Sequence, residues 1–159
     1  MVKIRPTIRE DHDSIINILK RTDYFTDEEI KIADELLNSY FDNSLDSGYW
    51  TYTAVTDQVA GYVCYGPTPL TDGTYDIYWI AVKPELQGQK IGTELLSFAE
   101  DDIAKHKGRL ITVYTSSQEK YLSTRSFYVK RGYHEGCRIH DYYHPGDDLV
   151  VYVKQISED

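Results

Sequence analysis

The stretch TYDIYWIAV, Thr74 to Val82, followed by KPELQGQK and IGTELLSFAEDDIAK, limits the folds open to this chain more than any other part of it. Its aromatic and β-branched residues make the first run a strand. Pro84 stops that strand, and a polar turn holding Gly88 follows. Ile91, Leu95, Phe98, Ala99 and Ile103 then recur at helical spacing. A strand that enters an amphipathic helix in this way needs a sheet with the helix laid on its face. The turn also brings the free N–H groups of the helix start to the strand end, a ready place for a phosphate.

Around this unit the chain switches between helical and strand periods. Val2 to Ile8 reads as a short strand, and Ile15, Ile18 and Leu19 recur at helical spacing between Glu10 and Lys20. TDEE, Thr26 to Glu29, is a capping box, in which a Thr hydroxyl and a Glu three residues on satisfy free N–H groups. It predicts a helix to about Tyr40 with Ile30, Ala33, Leu37 and Phe41 on one face. YWTYTAVT and VAGYVCYG flank Asp57-Gln58 and predict a hairpin. RLITVYT is a further strand. Ser116 and Glu119 form a capping pair expected to open a fourth helix, which ends at Lys130 and Arg131 before Gly132. YHEGCRIHDYY and DLVVYVK read as closing strands. This order predicts an α/β (α+β) domain with a mixed sheet flanked by about four helices. No repeat, low-complexity tract or linker divides residues 1–159, so one domain is expected.

Lys and Arg number 17 against 26 Asp and Glu, a net charge of −9. That balance argues against a nucleic-acid partner and suits a cationic substrate such as an amine. No apolar run reaches transmembrane length, and MVKIRPTIRE is charged from the start, unlike a secretory signal. No membrane partner is expected, and the cytoplasm is the expected location. Cys64 and Cys137 are then free thiols. His134, Cys137, His140 and His144 cluster in sequence, and strand alternation puts the three histidines on one face. The paired cysteines of a structural zinc site are missing, however, and Arg138 stands where H-E-x-x-H needs its second histidine. No metal is expected.

Three phosphate-binding patterns can be set against QGQKIG, Gln87 to Gly92. The Walker string G-x-x-x-x-G-K-[ST] does not occur. The Rossmann G-x-G-x-x-G belongs after a first strand, whereas Gly88 and Gly92 lie mid-chain. The third pattern, R/Q-x-x-G-x-G/A between a strand and a helix, is matched at both ends, with Lys90 in place of its first glycine. Further along, RSFYVKRGY, Arg125 to Tyr133, carries F-Y-x-x-x-G-F/Y. On these two segments, in this order and on these elements, nearly the whole chain resembles the GNAT family of acetyl-CoA-dependent N-acetyltransferases. The resemblance implies a mixed, mostly antiparallel central sheet and direct transfer of an acetyl group from acetyl-CoA to an amine.

Carried over residue by residue, the resemblance implies that Gln87, Gly88, Gln89, Lys90 and the helix start Ile91, Gly92 and Thr93 cradle the CoA pyrophosphate. Lys90 fits there with the negative φ of a helix first turn, its ammonium either on a phosphate or in solvent. The resemblance also implies that the strand splays from its neighbour at Ile80, Ala81 and Val82, where exposed backbone, chiefly of Ile80 and Val82, would take the pantetheine arm. Tyr128 occupies the tyrosine of the second motif, which implies the proton donor to the departing thiolate. A phenol of pKa ~10 is protonated at neutral pH. The attacking nitrogen starts as an ammonium of pKa ~10.4 and must lose a proton. Asp76 is the candidate base, directly or through water, because alternation puts it on one face with Tyr78, Ile80 and Val82. The Asn that the family often has before Phe-Tyr is missing, and Tyr121 and Thr124 stand in that region. Tyr121 is therefore a candidate for the pantetheine contact, and Thr115 and Ser116, at the end of ITVYTS, for the acetyl or pantetheine region, with helix capping the simpler role for Ser116.

The acceptor is expected to be a primary amine of a small molecule. YYHPGDD, Tyr142 to Asp148, and the carboxylates of Glu28, Glu29 and Glu35 are candidates for the acceptor side. Two rivals are a protein or peptide N-acetyltransferase and a catalytically silent acetyl-CoA sensor. The sequence leaves the oligomeric state open, a homodimer included.

Overall fold

The computed structural model describes residues 1–156. Strand β1 (Lys3–Pro6) leads to helices α1 (His12–Arg21) and α2 (Asp27–Asn43). Three strands follow, β2 (Trp50–Val55), β3 (Val59–Pro67) and β4 (Thr74–Val82). Helix α3 (Ile91–Lys105), strand β5 (Leu110–Ser116), helix α4 (Leu122–Val129) and the hairpin β6 (His134–His144) and β7 (Asp147–Gln155) complete the chain. The strands form one sheet in the order β1-β2-β3-β4-β5-β7-β6. Only β4 and β5 run parallel; the other neighbours are antiparallel. The expected mixed, mostly antiparallel sheet is therefore the one observed. No helix of the described residues is long and apolar enough to cross a membrane.

Helices cover both faces of the sheet centre. Leu95, Leu96, Ala99 and Ile103 of α3 pack with Val63, Tyr65, Ile77 and Ile111 on one face. Ile15, Ile18 and Leu19 of α1 and Ala33 and Leu37 of α2 pack with Tyr62, Cys64 and Ala81 on the other. Strand β3 is thus buried on both sides, which is why VAGYVCYG is apolar almost throughout. The capping box of α2 forms as read: Glu29 N–H donates to Thr26 Oγ1 (3.1 Å), and Thr26 N–H donates to Glu29 Oε1 (3.3 Å).

Two irregularities in β4 make the site. The first is a bulge. Cys64 opposes Trp79 but Tyr65 opposes Ile77, so Tyr78 is an extra residue on β4. The bulge inverts the alternation. Tyr75 and Ile77 face the α3 core before it, and Ile80 and Val82 face the α3 core after it. Tyr78, Trp79 and Ala81 face α1 and α2. Asp76, next to Ile77, is on the opposite face from Ile80 and Val82, contrary to simple alternation. The second irregularity is a splay. Pairing of β4 with β5 ends at Ile77 and Val113, although β4 runs on to Val82 and β5 to Ser116.

Helix α4 starts later than its expected capping pair. Ser116 is still a strand residue opposite Leu149. Its Oγ accepts from Gln118 N–H (3.1 Å) and donates to Asp147. Glu119–Tyr121 is a short 3-10 turn before the helix proper. The β6–β7 register shifts twice, which breaks the single face expected for His134, His140 and His144. His140 pairs with Asp148 (3.0 Å) instead. Among the described residues, no three His, Cys, Asp or Glu side chains come together to hold a metal ion.

Candidate active site

The turn before α3 is a run of unpaired donors. Gln87 N–H closes on Pro84 O and Glu94 N–H on Lys90 O. Among the described residues, none of the backbone N–H groups from Gly88 to Thr93 has a protein acceptor. Gly88 (φ 84°) and Lys90 (φ 66°) are both left-handed, which curls this backbone into a concave anion nest at a helix N-terminus. Lys90 thus corrects the expected negative φ. It adopts the conformation that the usual glycine would take without strain, at a cost of roughly 1–2 kcal/mol for a residue with a Cβ.

A cavity of about 370 Å³ opens over this nest. Gln87, Gly88, Lys90, Ile91, Gly92 and Thr93 line it, together with Ile80, Ala81 and Val82 of the splayed strand. Gln89 does not line it. The Thr93 hydroxyl is taken by Arg131, whose guanidinium also lines the cavity and lies 3.9 Å from the Phe127 ring centroid. Arg131 carried no signal in the sequence beyond a basic residue at a helix end. At the splay, Lys83 N–H donates to Ala60 O (2.8 Å), so Ala81 and Trp79 also face β3. Ile80 and Val82 therefore turn their backbone groups to the open edge. The Val82 carbonyl there accepts from Gln87 Nε2 (3.3 Å). Unpaired donors, two nearby cations and a free strand edge fit a long anionic molecule with an amide-bearing arm.

A second cavity, of about 760 Å³, opens on the α2 side. Tyr24, Phe25, Ile80, Thr124 and Tyr128 border both cavities and form their junction. Tyr128 is 3% exposed and sits edge-on to Phe127 (5.2 Å) and Tyr133 (5.3 Å). Among the described residues its hydroxyl has no protein partner, and burial pushes its pKa well up. Tyr133 is fixed behind it by donating to Glu100 (2.9 Å), which also receives Lys154 (2.9 Å).

Thr115 and Tyr121 line the second cavity, not the first. Thr115 Oγ1 is occupied by Val150 O (2.8 Å), and Tyr121 donates to Tyr24 O (2.7 Å). Asp76 lines neither cavity. Its oxygens accept from Thr68 Oγ1 (2.6 Å) and from Thr112 Oγ1, and it lies behind Tyr78, whose phenol burial and the Asp76 charge push up. Glu28, Glu29, His144 and Asp147 do line the second cavity; Glu35 does not.

Residues 13–133 match the acetyltransferase (GNAT) family. The chain belongs to that family. It is 29% identical over 135 residues to an uncharacterized N-acetyltransferase of Methanocaldococcus jannaschii, covering 79% of this chain and 82% of that protein. A crystal structure from Desulfovibrio desulfuricans, described as a GNAT-family acetyltransferase, superposes with a TM-score of 0.96 at 36% identity, covering 99% of this chain and all of that one (100%). The ribosomal-protein-S18-alanine N-acetyltransferase of Escherichia coli shares the fold (TM-score 0.78, 18% identity, 99% and 95% covered). This GNAT chain is accordingly an acetyl-CoA-dependent N-acetyltransferase that acts on an amine.

Arg125, the first residue of the second GNAT motif segment, has a role that the sequence did not disclose. It donates to Ser116 O (2.6 Å) and Gln118 O (2.8 Å), tying α4 to the end of β5 where the sheet has parted.

Proposed function

We propose that this GNAT enzyme acetylates a primary amine of a small molecule, with Tyr128 as proton donor at the junction of its two cavities. The position of Tyr128 carries this reading: of the two phenols that border both the nest cavity and the carboxylate-bearing cavity, Tyr24 and Tyr128, it is the one in the buried core. Gly88 to Thr93 hold the pyrophosphate of acetyl-CoA, and the open edge at Ile80 and Val82 aligns its arm so that the thioester reaches Tyr128. The acceptor enters through the second cavity and loses a proton before it attacks. Asp76 is held by two threonines outside both cavities, so the proton reaches it, if it acts as base, only by relay through water past Tyr78. The amine nitrogen bonds to the acetyl carbon, the carbon–sulfur bond breaks, and the sulfur takes the Tyr128 proton. The proton shed by the amine, passed through solvent, restores the phenol. Burial keeps Tyr128 protonated beyond the ordinary ~10, which suits a donor and disqualifies it as the base.

Thiol release from acetyl-CoA with a panel of small amines and short peptides tests this function. Tyr128→Phe is expected to lower kcat by roughly 100- to 10,000-fold while acetyl-CoA still binds. An unchanged kcat removes Tyr128 from the mechanism, and a preference for peptides overturns the small-molecule acceptor.

A further inference from the structure

The second cavity holds carboxylates whose charge the reaction itself does not use. Asp147 is 6% exposed, and Ser116 Oγ occupies its Oδ1. Its Oδ2 has no protein partner. Among the described residues, Thr51 Oγ1 is the only side-chain polar atom sealed away unpaired, so Asp147 Oδ2 is open to solvent, and Asp147 lines the second cavity. Glu29 borders the same cavity from α2, with one oxygen engaged by the capping box. The rings of Tyr121 and Tyr143 line the same cavity. Burial first raises both phenols; the charges of Glu29 and then Asp147 lift Tyr121 to about 12, while Tyr142, Asp147 and Glu29 in turn lift Tyr143. Lys120 is the cation of this cavity, its Nζ 5.0 Å from the Tyr121 ring centroid, set against Glu28, Glu29 and Asp147.

A carboxylate that gripped the reacting nitrogen would favour its ammonium form, which cannot attack. These carboxylates suit a charge that stays put. We infer that the acceptor is a dication, an aliphatic diamine or polyamine-like molecule. Its second ammonium is held by Asp147 and Glu29 over the Tyr121 and Tyr143 rings, while its reacting amine reaches Tyr128. Aromatic faces add cation–π attraction along the apolar linker. This inference rests on the acetyltransferase reading above and specifies its acceptor.

The test compares kcat/KM for putrescine and spermidine with that for butylamine and for glutamate, using the full chain and acetyl-CoA. Putrescine is expected to exceed butylamine by about 10- to 100-fold, as a charge-assisted hydrogen bond to a buried carboxylate implies. Asp147→Asn and Glu29→Gln are each expected to bring that ratio towards one. The Gln amide oxygen can still accept in the capping box, so Glu29→Gln is a probe that keeps α2 intact. A ratio cannot follow from a general loss of folded enzyme. Equal use of butylamine or glutamate overturns the inference, as does a ratio that survives both substitutions. Acetyl-CoA binding, measured by calorimetry, separates the two readings. Binding with acetylation of other amines leaves the acetyltransferase standing and removes the dication. Absence of binding removes both.

Discussion

The two cavities that meet at Tyr128 are made from different material. The nest cavity is backbone: consecutive N–H groups from Gly88 to Thr93 and the open strand edge at Ile80 and Val82. The second cavity is side chain, drawn from α2, the splayed ends of β4 and β5, the turn before α4 and the β6–β7 hairpin. Backbone donors do not depend on residue type, so the first cavity is set by conformation and tolerates changes that keep the curl. The second has no such reserve, and each substitution there alters what can bind. In the function proposed, the first is a fixed donor site and the second an adjustable acceptor site, joined at a buried phenol.

Among changes confined to one cavity, the largest effect is expected where a side chain intrudes on the backbone site. At Gly92 an added Cβ would meet the Phe127 ring at 3.5 Å, an ordinary contact, so Gly92→Ala is tolerated by the protein. Gly92→Val places further methyl groups against Phe127 and the cavity. An overpacking cost of about 1–3 kcal/mol, where it is paid on binding, corresponds to a roughly 5- to 150-fold rise in the KM for acetyl-CoA. Steady-state kinetics with acetyl-CoA varied at fixed amine measures it. Wild-type affinity in Gly92→Val would mean that the nest cavity is not the donor site.

This contrast also decides what the sequence could disclose. The nest was legible because its parts are contiguous: a strand run, Pro84, Gly88 and the α3 periodicity fall in one stretch. Tyr128 was legible from its motif. The face of Asp76 was not, because a one-residue bulge at Tyr78 leaves no mark in composition yet inverts every later side chain on β4. Arg125 and Arg131 were read as helix residues, since their partners Ser116, Gln118 and Thr93 lie elsewhere in the chain. Asp147 belongs to a turn that any polar hairpin has, and only the fold brings it against Ser116.

A smaller effect separates backbone from side chain within the nest. Lys90→Gly relieves a left-handed φ and is expected to raise stability by up to about 1 kcal/mol, the strain relieved less the added freedom of the unfolded chain. The same change removes an ammonium from the cavity. If that charge contributes to holding the phosphates, acetyl-CoA binding weakens several-fold, and the loss shrinks as salt is raised. Thermal melts and titrations at two ionic strengths read the two effects apart. A variant that melts lower than wild type would show that the loop does not hold Lys90 left-handed.

The smallest effect concerns what each cavity leans on. Helix α3 is tied by Tyr65 to Asp102 (2.6 Å) and by Tyr133 to Glu100 (2.9 Å), two phenols that burial keeps protonated across neutral pH. Helix α2, which carries Glu28 and Glu29, is tied to α1 through His12 and Asp34. The hydrogen bond to Asp34, and next the one to Asp13, raise the His12 pKa above its ordinary ~6.5. The folded state therefore binds this proton more tightly than the unfolded chain does. The contribution is complete below about 6.5 and is lost as pH rises through the raised value, so stability falls with increasing pH in that window. Because the pair is partly exposed, the expected drop in Tm is small. His12→Asn removes this slope. Hydrogen exchange, corrected for intrinsic rates, is expected to show α2 losing protection relative to α3 as pH rises in the wild type but not in His12→Asn. Identical pH profiles in the two proteins would detach the acceptor side from this histidine, leaving both cavities equally indifferent to pH.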